Sequence, residues 1–220
     1  GKRRSCFQTG LKPAFKIRIN KTFIKLIEKF SGSFEIELIN SPSLIEKYLG
    51  FKAVLIRKSL KEVVIYEIND RIVNSLARKT CFESNLNSSS SFVIQDKYSI
   101  SGILNSFGAN TRHHTFNDPN LNRSITAFES EGYLLETVLY DEKILKFLYD
   151  LIKTDSFESI ESKKNEDDGN SRAFSKKLLL IFNCSIDRIS REEMLLLLDF
   201  MMSINEILVG SIVTSVSDTK

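Results

Sequence analysis

The sequence predicts one α/β domain over residues 1–220, a central sheet with helices on both faces. Three observations carry that expectation. Segments with a two-residue apolar period alternate along the chain with segments of helical period. The run KKLLLIFNCS, residues 176–185, is the most hydrophobic strand-like stretch and suits the middle of a sheet covered on both sides. Composition is that of a chain able to build a core, with 42% hydrophobic and 27% charged residues in 220.

From the start, AFKIRI alternates Phe15, Ile17 and Ile19 as a strand does. Asn20 can cap a helix whose stripe is Phe23, Ile24, Ile27 and Phe30, stopped by Ser31-Gly32-Ser33. FEIELI sets Phe34, Ile36 and Leu38 against Glu35 and Glu37, a half-exposed strand. Ser41-Pro42 opens a short helix through Tyr48, with Gly50 after its end. AVLIRK and EVVIYEI, joined by Ser59-Leu60-Lys61, read as an antiparallel hairpin.

Asp70 can then cap a helix over residues 71–79, with Ile72, Val73 and Leu76 inward. Residues 83–91 read as a serine-rich loop, FVIQ as a short strand, and Gly102 to Pro119 as one long irregular loop. Helical pattern resumes near Asn120, and a second helix from Asp141 to Lys153 carries Ile144, Leu145, Leu148 and Leu151. The hydrophilic residues 155–172 read as a mobile insertion. Ser190 with Glu193 makes a capping box for a last helix through about Ile207.

Chemistry is sparse. No stretch reaches the roughly 20 apolar residues of a membrane helix, and no signal-peptide pattern opens the chain. Cys6, Cys81 and Cys184 lie far apart without CxxC spacing, as reduced thiols of cytosol or nucleus do. His113 and His114 are adjacent, so on a helix or strand they point apart and make a poor metal pair. Glu35 and Glu37 fit the wet face of a strand better than a catalytic carboxylate pair. No catalytic, cofactor-binding or metal-binding residue is assigned. Residues 1–60 hold 13 Lys and Arg against 4 Glu, a local charge of +9 that leaves −6 for the rest. A basic half steers a protein toward an acidic polymer, nucleic acid or the face of a microtubule.

Read from its end, the chain resembles the last two-thirds of a kinesin motor domain. EKILKFL, from Glu142, is similar to the kinesin helix beginning S-K-L-T-x-L-L. SKKLLLIFNCS from Ser175 is similar to the strand K-T-L-M-F-V-N-I-S, and EMLLLLDFM from Glu193 to the helix E-T-L-x-S-L-x-F-A. Upstream, NLNRSI from Asn120 is similar to N-I-N-K-S-L, and NLNSSSSF from Asn85 to the switch I sequence N-x-x-S-S-R-S-H. Gly10-Leu11-Lys12-Pro13 looks like the G-I-I-P after the P-loop helix, and FEIELINSPSLIEKYL like F-x-E-I-Y-N-E-x-I-x-D-L-L.

The departures fall on the nucleotide site. Ser90 and Phe92 stand where switch I has Arg and His, and no D-L-A-G-S-E is recognisable around Ser106 to Asn110. Of a P-loop only Gly1-Lys2 is present, and Arg3 stands where the magnesium-binding Ser or Thr belongs, so the first motor strands and the P-loop are missing or truncated. The resemblance therefore implies a non-catalytic module like the non-motor partners in fungal C-terminal-motor kinesin heterodimers. Such a module binds microtubules without ATP or another cofactor and pairs with a catalytic kinesin through an N-terminal coiled coil outside this sequence. It works in the cytoplasm on the cytoskeleton, or in the nucleus on the spindle. Carried over, the microtubule face is Asn122, Arg123, Lys143 and Lys146, with Arg57, Lys58 and Lys61 at a hairpin tip. The alternative is a structural subunit of a nuclear complex with a basic face for nucleic acid or an acidic partner.

Overall fold

The computed structural model describes residues 30, 32–43, 47, 52–72, 75–86, 88, 90–98, 111–164 and 176–217. The expected strand at 14–19, nearly all of the helix at 20–30, the motif at 10–13 and the stretch 106–110 lie outside the described residues, as does most of the helix expected after Pro42.

Nine strands form one sheet. They are β1 (Glu35–Asn40), β2 (Lys52–Lys58), β3 (Lys61–Ile72), β4 (Ser75–Leu86), β5 (Ser91–Asp96), β6 (Arg112–His114), β7 (Ile125–Glu131), β8 (Phe157–Lys164) and β9 (Lys176–Phe182). Their order is β1-β2-β3-β4-β9-β8-β5-β7-β6, and every pairing is antiparallel. The helices are α1 (Pro119–Ser124), α2 (Leu134–Val138), α3 (Glu142–Ile152) and α4 (Arg191–Ser217). The mixed α/β character is as expected. The sheet joins the consecutive run β1–β4 to the non-consecutive pairings β4–β9, β8–β5 and β5–β7, all antiparallel rather than parallel crossovers.

Side-chain alternation divides the molecule. Val54, Ile56, Ile65, Phe82, Leu178 and Leu180 point to one face, where they meet Leu121, Leu135, Leu148, Leu151, Leu197 and Leu198 from all four helices. The other face gathers Ala53, Tyr66, Cys81, Leu179 and Ile181, with no helical residue among those described. Among the described residues the helices therefore cover one face, not the two expected.

Several elements follow the sequence closely. β9 lies between β4 and β8, with six of its seven residues buried. The β2–β3 hairpin turns through Ser59-Leu60, and Ser59 adopts φ 58°, a left-handed conformation uncommon for a residue with a Cβ. Asp141 accepts hydrogen bonds from Lys143 N (2.9 Å) and Ile144 N (3.2 Å), so α3 starts where its cap places it. The capping box of α4 is formed, Ser190 N donating to Glu193 (2.7 Å) and Glu193 N to Ser190 Oγ (3.1 Å), and the helix runs on to Ser217.

Four expectations are corrected. The helix over 71–79 is replaced by the β3–β4 hairpin, whose register pairs Asp70 with Ala77 and Ile72 with Ser75. A short apolar run fits either period, and cross-strand pairing decides between them. Residues 83–86 belong to β4 rather than a loop, with Leu86 fully buried, and residues 112–114 of the long expected loop form β6. Within the segment read as a mobile insertion, residues 157–164 form β8, between β9 and β5; residues 165–172 lie outside the described ones. β8 is hydrophilic, and several of its polar side chains are engaged within the sheet. Glu158 pairs with Lys79 (2.7 Å), Ser159 with Glu161 (2.8 Å), and Ser162 Oγ donates to Ser90 O (2.9 Å).

Candidate functional site

The seven residues carried over as a binding face fall into two groups with different surroundings. At the β2–β3 tip, Arg57 is held on both sides, by Glu37 (2.9 Å) and Glu62 (2.7 Å), and these partners raise its already high pKa. Lys61 pairs with Glu206 of α4 at 2.6 Å, and Lys58 lies 5.7 Å from the centre of the Phe34 ring. The tip's cations already have partners from the chain itself.

The second group is on α1 and α3, which pack against one another. Asn122 serves the fold, since its amide donates to Phe116 O (2.6 Å) and its Oδ1 accepts from Phe116 N (2.8 Å). Arg123, Lys143 and Lys146 are exposed and form no ion pair among the described residues. The nearby acids Asp118 and Asp141 are occupied as caps, Asp118 accepting from Asn120 N at 2.6 Å. α3 turns outward the positions between Ile144, Phe147, Leu148 and Leu151, which are buried, so its lysines are displayed by the same periodicity that docks it. Phe147 stacks on Phe200 of α4 with ring centres 3.5 Å apart, fixing that orientation.

Strands β4, β9, β8 and β5 separate β3 from β7, the strand that follows α1. Five strand spacings, about 24 Å, therefore lie between β3 and β7. The structure adds one cation that sequence reading missed. Lys97, just past β5, donates through its backbone N to Ser124 O (2.9 Å) and reaches Asn122 O with Nζ at 3.4 Å. No motif marks Lys97; only the pairing of β5 with β7 brings it beside α1.

Buried charge is concentrated elsewhere. Glu129 on β7 is fully buried, and its Oε1 accepts from Leu134 N (2.7 Å) and Leu135 N (3.2 Å) at the start of α2. Its Oε2 lies 3.3 Å from His114 Nε2 and 3.6 Å from Arg112, within ion-pair reach but without a well-aligned hydrogen bond. The Arg112 guanidinium also covers the Tyr133 ring at 4.1 Å. His113 turns the other way, onto Phe128 (5.2 Å), so the two imidazoles diverge as a strand requires. On the opposite sheet face, burial pushes the Cys81 thiol up to about 12, and it likewise raises the Tyr66 hydroxyl. A thiol held protonated in this way is a poor nucleophile. No group of three or more His, Cys, Asp or Glu side chains placed to hold a metal ion occurs among the described residues. No described helix is long and apolar enough to cross a membrane.

The switch I likeness falls on structural positions. Phe92 packs into the main core at the start of β5, and Ser90 is buried with its carbonyl bonded to Ser162. Comparison with family models, curated proteins and solved structures finds no match.

Proposed function

We propose that the chain is a non-catalytic binding subunit that docks an acidic polymer through the cations of α1 and α3, Arg123, Lys143 and Lys146, with Lys97 beside them. The carrying observation is the contrast in partnering. Among the described residues these cations are exposed and form no ion pair, and the flanking Asp118 and Asp141 are committed to helix caps, with Glu142 an exposed acid beside Lys143. Unpaired surface cations lose no internal contact on meeting an acidic surface, so they supply steering and salt-sensitive attraction. The non-catalytic part of the reading is supported by Ser90 and Phe92, which serve the sheet and core where a motor has its switch.

The collinear motifs favour the microtubule as the polymer, with a catalytic kinesin as working partner through a coiled coil, in cytoplasm or on the spindle. A second reading, a structural subunit of a nuclear complex binding nucleic acid or an acidic partner, is favoured by the wholly antiparallel sheet, since nucleotide-binding α/β cores are built from parallel strands and crossovers. Sedimentation with stabilised microtubules, in parallel with duplex DNA binding over a salt series, separates the two. ATP-independent pelleting that weakens with salt supports the first. DNA binding with a steep salt slope and no pelleting supports the second. Failure to bind either polymer overturns the docking face.

A further inference from the structure

At one end of the sheet β1 pairs with β2, and among the described residues nothing pairs with its other edge. Four of its six residues are exposed, and an edge of this kind presents backbone N–H and C=O groups to one more strand. Alternation divides the side chains of β1. Ile36 packs against the main core, and Leu38, 36% exposed, follows it on that side. Glu35 and Glu37 stand on the other side, and both are exposed. The register sets Arg57 across from Glu35 on β1 and from Glu62 on β3. Arg57 bonds Glu37 (2.9 Å) and Glu62 (2.7 Å), while Glu35 forms no ion pair among the described residues. Three carboxylates thus surround one guanidinium, an excess of two negative charges on this side of the edge. The hairpin lysines do not offset it, since Lys58 and Lys61 lie on the opposite side, toward Phe34 and Glu206.

We infer that the open edge of β1 receives an extended peptide of a partner protein in which basic and apolar residues alternate. The peptide's backbone adds a strand to the sheet, its Lys or Arg side chains stand beside Glu35 and Glu37, and its apolar side chains stand beside Ile36 and Leu38. Charge complementarity selects this occupant. A cation placed across from Glu35 meets a carboxylate that gives up no ion pair to receive it, and opposite charges directly across two strands attract. An acidic strand would add to the excess already there. Antiparallel edge-to-edge pairing with a second copy of the chain would bring the same excess of carboxylates to the same side of the sheet, so the edge discriminates against itself. β1 lies at the other end of the sheet from β7 and shares no residue with the α1–α3 face, so the two sites stand or fall separately.

The test is fluorescence anisotropy of the whole chain with labelled peptides in which valine alternates with lysine, glutamine or glutamate. The lysine peptide binds, the glutamine peptide binds at least about threefold more weakly, and the glutamate peptide more weakly still. Methylating the backbone nitrogens of one alternate set of residues in the lysine peptide abolishes binding, and methylating the other set spares it, because only one set faces β1. Glu35→Lys, at an exposed position, weakens the lysine peptide about threefold to tenfold and tightens the glutamate peptide by a similar factor, a gain that misfolding cannot produce. Arg123→Glu changes neither. No binding, equal affinity for the three peptides, the same response to both methylations, or no gain for the glutamate peptide with Glu35→Lys overturns the proposal. So does a concentration-dependent dimer that the lysine peptide dissociates, which would give the edge to a second copy of the chain.

Discussion

The hairpin tip of β2–β3 and the helical pair α1–α3 both carry cations, and they use them in opposite ways. At the tip, Arg57 is closed in by Glu37 and Glu62, and Lys61 by Glu206, so the charge is balanced within the fold. Before α1 and α3, Asp118 and Asp141 are engaged as caps, and Arg123, Lys143 and Lys146 are exposed without an ion pair among the described residues. The same residue types therefore stand in different surroundings, half-buried and paired for Arg57 and Lys61, exposed for Arg123, Lys143 and Lys146. A count of surface lysines does not identify a binding face; the fate of the nearby carboxylates does.

The largest test of this distinction is in the buried class. Glu129→Ala removes the acceptor for two backbone amides and leaves Arg112 and His114 beside an empty site. We expect a loss of about 3 kcal/mol or more in urea unfolding. A loss under about 1 kcal/mol would mean that the carboxylate is dispensable and the pairing contrast has no energetic basis. Asp141→Ala should cost about 1 kcal/mol by removing the α3 cap, without weakening polymer binding. Weakened binding after that change, with α3 intact by circular dichroism, would show that the cap also contacts the partner.

A further effect is expected in alkali. Cys81 has its folded pKa raised by burial from an ordinary value near 9 to about 12. The unfolded chain therefore releases this proton first, and stability that is complete below about pH 9 declines as pH rises toward 12. Cys81→Ala should flatten that part of the profile; an unchanged slope would place the titration elsewhere. The smallest stability effect belongs to the free cations. Arg123→Glu with Lys143→Glu and Lys146→Glu should shift unfolding by no more than about 0.5 kcal/mol per site. A larger destabilisation would mean these cations hold the fold rather than stand ready for a partner.

Much of the local structure was legible in the sequence. Asp141, the Ser190–Glu193 box and the run through Phe182 each combine propensity, capping and apolar period, so all levels agree. The misreadings share one physical source. Ile72, Val73 and Leu76 satisfy a helical period over too few residues to exclude a strand, and β8 has only Phe157 and Ile160 as apolar residues. In the first place a local hairpin pairing decides, Ala77 across from Asp70, and in the second a distant partner, Lys79 for Glu158. Topology was hidden for the same reason, since alternating strands and helices are compatible with parallel crossovers and with the antiparallel order found. At the site, Arg123, Lys143 and Lys146 were named through the resemblance alone, whereas the neutralisation of Arg57 and Lys61 and the approach of Lys97 depend on cross-strand and strand–helix neighbours.

One comparison of two variants tests the central claim most directly. Sedimentation with stabilised microtubules at low salt would be measured for the triple reversal of Arg123, Lys143 and Lys146 and for that of Arg57, Lys58 and Lys61. The unpaired helical cations should account for the binding, so their reversal should lower affinity about tenfold or more while the hairpin reversal changes it by less than about threefold. Equal losses from both sets, or a loss confined to the hairpin set, would contradict the account.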